Sequence, residues 1–192
     1  MKPSHVKIVA GKHRGRELQA PAGDGTRPTL GRARQSLFDI LEHGKFSATG
    51  GSLLPDARVL EAFAGSGAFA FEALSRGAAF AVMIDNAKAA QAAMRANAAL
   101  LKETEHCRIH AADATRPPQA DAPCDLVFLD PPYGKSLAGP ALVALRDAGW
   151  IDADTLAILE VASKEDFVAP EGFDLLDERV YGPAKFLFLK PA

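Results

Sequence analysis

Asp130-Pro131-Pro132-Tyr133 carries the densest chemistry in the chain. Two successive prolines donate nothing to a sheet ladder, fix two φ angles and push Asp130 towards extended backbone. The five residues before them, Asp125-Leu126-Val127-Phe128-Leu129, read as a buried parallel strand. A stiff corner at the carboxyl end of a strand follows, which is where open α/β sheets hold their ligands. Asp130 offers a carboxylate there, Pro131 an unpaired carbonyl and Tyr133 a flat ring. That set suits a planar group bearing an NH2. An ordinary tight turn uses the same residue types, so the tetrapeptide takes its meaning from its company.

The company is a second strand-end feature. Ala64-Gly65-Ser66-Gly67 follows a strand-like run from Val59 to Phe63 and precedes a helix. Glycines at 65 and 67 allow a sharp turn and a close backbone approach, and the helix aims its first amides at whatever lies there. The pattern G-S-G-A-F-A puts Ala70 at the last position of the dinucleotide fingerprint, which tolerates Ala, so a dinucleotide site stays open on these residues. Asp85 comes 20 residues after Gly65 at the end of the next strand, suited to ribose hydroxyls or to capping the following helix. Asp113 ends a third strand and could accept from an adenine amino group. Four strand ends thus form one continuous rim.

The elements that must position this rim alternate. Strands are expected at 59–63, 79–84, 107–111, 125–129 and 156–161, with helices at 68–76, 87–101 and 137–148 between them and a closing hairpin at 174–190. This is an α/β fold with a mostly parallel sheet and helices on both faces. Ahead of it, residues 6–19 read as a short hairpin turning at Gly11-Lys12-His13, and 31–43 as a helix with an apolar stripe of Leu37, Phe38, Ile40 and Leu41. Gly- and Ser-rich residues 44–55 link the two parts, so the chain divides into residues 1–50 and 51–192.

Composition narrows the class. The 192 residues are 48% hydrophobic and 24% charged, ordinary for one globular domain with a small appendage. No apolar run approaches the roughly 18 residues of a spanning helix. Lys7 and Lys12 interrupt any secretory signal, and Cys107 and Cys124 have neither metal spacing nor a disulfide framework. A soluble cytoplasmic protein without membrane, metal or disulfide is expected. The net charge of −2 hides an asymmetry: residues 1–34 hold eight Lys/Arg against Glu17 and Asp24. A basic arm on an acidic body suits docking to a polyanion, although a frayed, solvated terminus has the same composition.

With these residues in view, the chain resembles class I S-adenosylmethionine-dependent methyltransferases: E-A-F-A-G-S-G matches their cofactor loop and D-P-P-Y the amino-methyltransferase tetrapeptide. Within that class it is similar to the bacterial 16S ribosomal RNA guanine-N(2) methyltransferases. The likeness rests on I-V-A-G-K-H-R-G-R, T-R-P-T-L-G-R-A-R-Q-S-L-F-D-I-L, F-A-G-S-G-A-F-A-F-E-A-L-S-R-G-A and L-D-P-P-Y, in order along nearly the whole chain. Glu61 stands where Asp is more usual, Asp85 where Glu is common, and Gln35 replaces a frequent Glu.

The resemblance implies a Rossmann-like seven-stranded sheet of order 3-2-1-4-5-7-6, strand 7 antiparallel, with an N-terminal hairpin and helix extension. It implies S-adenosyl-L-methionine as cofactor, held by Glu61, Phe63, Gly65, Ser66, Gly67, Asp85, Asn86, Asp113, Ala114 and Thr29. Asp130, Pro131 and Tyr133 would be catalytic. Lys12, His13, Arg14, Arg16, Arg27, Arg32 and Arg34 would dock 16S ribosomal RNA, free or within a partly assembled small subunit, on a monomeric enzyme. Two other readings keep the same motifs: an adenine-N(6) methyltransferase on DNA, for which 192 residues leave little room for a target-recognition segment, and a non-catalytic RNA-binding assembly factor. A nicotinamide dehydrogenase lacks a histidine suitably placed after the glycine loop.

Overall fold

The computed structural model describes residues 6–21, 30–47 and 50–192. Its centre is β6 (Leu126–Leu129), four residues buried on both faces, as an uninterrupted apolar run in a parallel sheet must be. β6 pairs parallel with β3 (Arg58–Ala62) on one side and β7 (Leu156–Ala162) on the other, with Leu60↔Val127 and Val127↔Ala157 in register. β4 (Phe80–Ile84) and β5 (Cys107–His110) continue the sheet beyond β3. β9 (Ala184–Pro191) runs antiparallel to β7 and carries β8 (Phe173–Tyr181) on the edge. The order β5-β4-β3-β6-β7-β9-β8 is the expected 3-2-1-4-5-7-6 once the N-terminal hairpin strands are set aside. The chain reverses its direction of growth between β3 and β6, so their carboxyl ends frame the switch point where such sheets bind ligands.

Helices cover both faces. Strand alternation sends Val59, Met83, Phe128, Ile158 and Phe188 to one side, against α1 (Leu30–Glu42), α2 (Ala68–Ser75) and α3 (Lys88–Leu101). Phe69 of α2 stacks on Phe128 with ring centres 4.6 Å apart, and Phe38 of α1 lies 5.1 Å from Phe69. The opposite side sets Leu60, Val82, Val127 and Leu159 against Ala141, Leu142 and Leu145 of α4 (Ala138–Asp147) and against Trp150.

The N-terminal hairpin is shorter than its alternating pattern suggests. Among the described residues only Val6–Lys7 (β1) and Glu17–Leu18 (β2) pair as strands; Ile8 adds backbone bonds to Gly15 and Arg16, and α2 holds the segment between. Glu72 of α2, fully buried, accepts from the Val9 and Ala10 amides at 2.8 and 3.0 Å and from Arg76 Nε at 2.8 Å. Ser75 Oγ accepts from the His13 amide at 2.9 Å, and its carbonyl from the Lys12 amide at 2.8 Å. Arg76, itself almost wholly buried, lies over the Phe38 ring and reaches Glu42 Oε2 at 2.8 Å. Gln35 occupies the position of altered identity noted above. It accepts from Arg76 at 3.2 Å and donates to Asp39, a contact a Glu could not make. Ile8 and Leu18 enter the same core as α1 and α2.

Glu72→Ala should therefore cost far more than one surface ion pair. It removes the acceptor of Arg76 Nε and of two amides and leaves the buried guanidinium only Glu42 and Gln35, a loss of about 3–5 kcal/mol on the scale of broken buried pairs. Urea denaturation measures it; a loss below about 1 kcal/mol would place the hairpin's anchorage elsewhere.

Candidate active site

The carboxyl ends of β3, β4, β6 and β7 open into a cavity of about 580 Å³. Its walls include Glu61, Phe63, Gly65, Ser66, Asp85, Asn86, Asp130, Pro131 and Tyr133, so nine of the sequence-derived cofactor and catalytic candidates meet at one place. Ligand pockets commonly span about 300–1,000 Å³.

Each wall residue is held by the strand it ends. Glu61 is buried and accepts from the first amides of α2, Phe69 N at 3.2 Å and Ala70 N at 2.9 Å. Burial pushes its carboxyl up to about 7, against the opposing pull of those two amides and of Arg34. Asp85 accepts from Gly65 N at 2.9 Å and Ala87 N at 2.8 Å, so it ties down the glycine loop and closes the turn that leads into α3, while the helix's own N-cap position, Ala87, has no side-chain cap. A carboxylate has about four acceptor positions, which leaves room for a ligand's hydroxyls. Phe63 adopts a φ of 58°, a left-handed backbone that bulky residues rarely take.

The two glycines of the loop do different work. At Gly65 a Cβ would meet nothing within 4 Å, so its bare side faces open space beside the cavity. At Gly67 a Cβ would lie 2.6 Å from Met83 Sδ and 2.7 Å from Phe71, with φ at 76°. Gly67 is required by packing and backbone conformation, not by ligand approach.

Other expected residues lie elsewhere. Asp113 and Ala114 stand past the end of β5, outside the cavity walls, and Asp113 Oδ1 accepts from Thr115 N at 2.9 Å and Thr115 Oγ1 at 2.8 Å. Those bonds hold its carboxyl below the usual range. Arg34, grouped with the RNA-facing residues by sequence, turns inward: it lines the cavity, donates from Nη2 to the Lys7 carbonyl at 2.6 Å, and burial lowers its pKa. His13 Nε2 lies 2.5 Å and Lys12 Nζ 2.7 Å from Glu103, a carboxylate only 3% exposed. Arg14, Arg16 and Arg32 remain exposed. Arg27 and Thr29 lie outside the described residues.

Two functional candidates escaped the sequence reading. Glu160 of β7 is buried, lines the cavity and accepts from Tyr133 Oη at 3.2 Å. Its signal was present, as a single acid in the otherwise apolar L-A-I-L-E-V-A. Asn97 of α3 is fully buried, donates to the Ser66 carbonyl at 2.9 Å and to the Gln19 carbonyl at 3.0 Å, and accepts from Gln19 N at 2.8 Å. Burial pushes the Cys107 thiol up to about 11 and that of Cys124 to about 12, which leaves neither as a thiolate nucleophile. Among the described residues no group of three or more His, Cys, Asp and Glu side chains converges on a metal position, and no helix is long and apolar enough to cross a membrane.

Residues 6–190 match the family model described as conserved hypothetical protein 95. Ribosomal RNA small subunit methyltransferase D of Escherichia coli strain K12 is 32% identical over 191 residues, covering 96% of this chain and 92% of the relative. The Haemophilus influenzae protein of the same name is 32% identical over 181 residues, covering 92% and 89%. A solved Escherichia coli structure with a provisional methyltransferase name superposes with a TM-score of 0.80 at 32% identity, covering 98% of both chains.

The raised Glu61 carboxyl carries a stability signature. Its folded pKa, about 7, exceeds the ordinary 4.5, so the folded state keeps a proton that the unfolded chain releases between those values. The contribution is full below pH 4.5 and is lost as pH rises towards about 7, some ~3 kcal/mol in all. Denaturant titrations of wild type and Glu61→Gln at pH 4.5 and pH 8 should show the difference shifting by that amount in favour of Gln. A pH-independent difference would mean that the ion is accommodated without cost.

Proposed function

We propose, from the premise that the chain belongs to the family of conserved hypothetical protein 95 and ribosomal RNA small subunit methyltransferase D, that it methylates the exocyclic N(2) of a guanine in 16S ribosomal RNA using S-adenosylmethionine. The observation that carries the reading is the meeting of the glycine loop, Asp85 and Asp130-Pro131-Tyr133 around one cavity. The donor set fits the cofactor. Gly65 leaves open space where a Cβ would stand, Asp85 retains acceptor capacity for ribose hydroxyls, and apolar Phe63, Ala64 and Ala68 supply walls. Asp113 and Ala114, at the end of the strand neighbouring Asp85, would take the adenine end. When bound, the cofactor supplies a methyl group already activated on a sulfonium.

The chain's own task is then to present the amine. Guanine's exocyclic nitrogen is a poor nucleophile because its lone pair is delocalised into the ring. Hydrogen bonds from its two N–H groups to the Asp130 carboxylate and the Pro131 carbonyl orient the lone pair, and such positioning provides most of the acceleration. The fixed Asp130 carboxylate stabilises positive charge developing on nitrogen. Tyr133, on the cavity wall, stacks on a base swung out of its helix, since a paired amine is out of reach. Residues 51–192 perform this chemistry, while exposed Arg14, Arg16 and Arg32 of residues 1–50 contact phosphates.

Two measurements test these roles. Asp130→Ala should cut the rate of transfer from labelled cofactor to small-subunit RNA by about a hundredfold or more, the scale of one lost preorganised group. Its affinity for S-adenosylhomocysteine should hardly move, and near-wild-type transfer would reduce Asp130 to a turn residue. Replacing Arg14 and Arg16 together with Ala should flatten the log–log salt dependence of RNA binding by about 0.7–0.9 per lost phosphate contact. Identical slopes for wild type and double mutant would remove the hairpin from RNA docking.

A further inference from the structure

We infer that the solvent face of α3 is a second docking surface for the phosphates of the substrate RNA, running from the mouth of the cavity towards the hairpin; the inference rests on the reading of the chain as an RNA methyltransferase. Three cations make this face. Lys88 opens α3, Arg95 lies in its middle and Lys102 caps its end, and all three are exposed. A seven-residue step on an α-helix falls only about 20° short of two full turns. The three therefore stand in one row, about 10.5 Å apart and about 21 Å from first to last. Ala92 and Ala99, also exposed, occupy the same row between them. The opposite side of the helix, with Ala90, Met94, Ala98 and Leu101, is packed into the core.

A merely solvated helix surface has a different composition. Residues 35–192 hold 14 Lys/Arg against 22 Asp/Glu, yet no acid occurs from Asn86 to Lys102. Exposed helices gain support from opposite charges three or four residues apart. Here Ala92 and Ala99 stand where such partners would be. Among the described residues Lys88, Arg95 and Lys102 form no ion pair, whereas Lys12, Lys45, Arg58 and Arg108 each meet a carboxylate. A row of uncompensated positive charge on an acidic body, separated by single methyl groups, complements a strand of phosphates.

Both ends of the row join surfaces already described. Asn86, Ala87 and Ala89, the neighbours of Lys88, line the cavity. Glu103, next to Lys102, holds Lys12 and His13 at the hairpin turn, and Asn97 binds the backbone of Gln19. The row thus bridges the cavity mouth and the hairpin that carries exposed Arg14 and Arg16. An RNA strand whose base is swung into the cavity leaves it on both sides of the target nucleotide. The α3 row takes the phosphates of one flank, and contacts of this kind fix register without reading sequence.

The test is binding of small-subunit ribosomal RNA by the full chain across a salt series. Combining Lys88→Ala, Arg95→Ala and Lys102→Ala should flatten the log–log salt slope by about 2, at about 0.7–0.9 per contact, and weaken binding about tenfold or more. Affinity for S-adenosylhomocysteine should not change, since the three side chains point to solvent. Ala92→Glu keeps every cation, suits a helix and sets a carboxylate in the row, so it should weaken RNA binding about tenfold as well. Lys190→Glu changes the net charge by two at the opposite end of the sheet, beside the first residues of β7. Screening over that distance should hold its effect on RNA binding within about twofold. A triple variant with the wild-type slope, or Ala92→Glu binding as wild type does, makes α3 a solvated surface and overturns the inference. Equal losses from Lys190→Glu and the triple variant also overturn it, because overall charge would then be acting in place of a contact. Wild type that methylates small-subunit RNA while the triple variant shares its slope defeats this inference alone. Wild type with no affinity for that RNA defeats the proposed function itself.

Discussion

One buried carboxylate, Glu72, joins three elements that share no sheet. Its oxygens take the Val9 and Ala10 amides of the hairpin and the Arg76 guanidinium, and Arg76 extends the link to Glu42 and Gln35 of α1. Burying an ion pair is not in itself a route to net stability, because desolvation offsets much of the Coulomb gain. Its consequence is uniqueness: a hairpin with only two residues per strand has too little ladder to fix its own position. Glu72 supplies that position. Val6 of the hairpin and Arg34 and Leu37 of α1 are cavity walls only because this junction holds them over the strand ends.

A second junction connects the same hairpin to the glycine loop. Asn97 binds both polar groups of the Gln19 backbone and the carbonyl of Ser66, without exposure to solvent. The proposed RNA-facing hairpin and the proposed cofactor loop therefore share one amide side chain. A displacement of either that broke these bonds would leave buried donors and acceptors unmatched. The two surfaces are held as one rigid unit, the arrangement that keeps a reacting geometry within fractions of an ångström.

The sheet, its order and the meeting of the motifs were legible because they follow from local rules. Leu126–Leu129 can only be a doubly buried strand, and the two prolines can only end it. Long-range pairing was not legible. Lys12 and His13 read as free positive charge until Glu103, about ninety residues on, is found 2.7 and 2.5 Å away. Arg34 has the same charge as Arg32 two residues earlier, yet helical phase turns one inward and leaves the other exposed. Gly65 and Gly67 are alike in sequence, and only the neighbours of the absent Cβ separate a ligand-facing position from a packing one. Thr29 and Arg27 fall outside the described residues, and their assignment to cofactor and RNA remains a proposal.

The distribution of sign across the site follows from these placements. Glu61, Asp85, Asp130 and Glu160 stand at or near the ends of four neighbouring strands and face one cavity together with Arg34, whereas Arg14, Arg16 and Arg32 lie outside it on the hairpin and α1. Like charges in one low-dielectric cavity repel, and neighbouring donors offset this: two α2 amides at Glu61, the Gly65 and Ala87 amides at Asp85, and the Tyr133 hydroxyl at Glu160. A lining in which these acids outnumber Arg34 favours ligands that arrive with positive charge or with N–H and O–H donors, and it disfavours phosphate. On the proposed reading, a sulfonium, ribose hydroxyls and a guanine edge are admitted while the nucleic acid's backbone is kept at the arginines. On that same reading, keeping Arg14, Arg16 and Arg32 outside the acid-rich cavity lets one small fold bind a polyanion without drawing its phosphates into the site that must hold only the base.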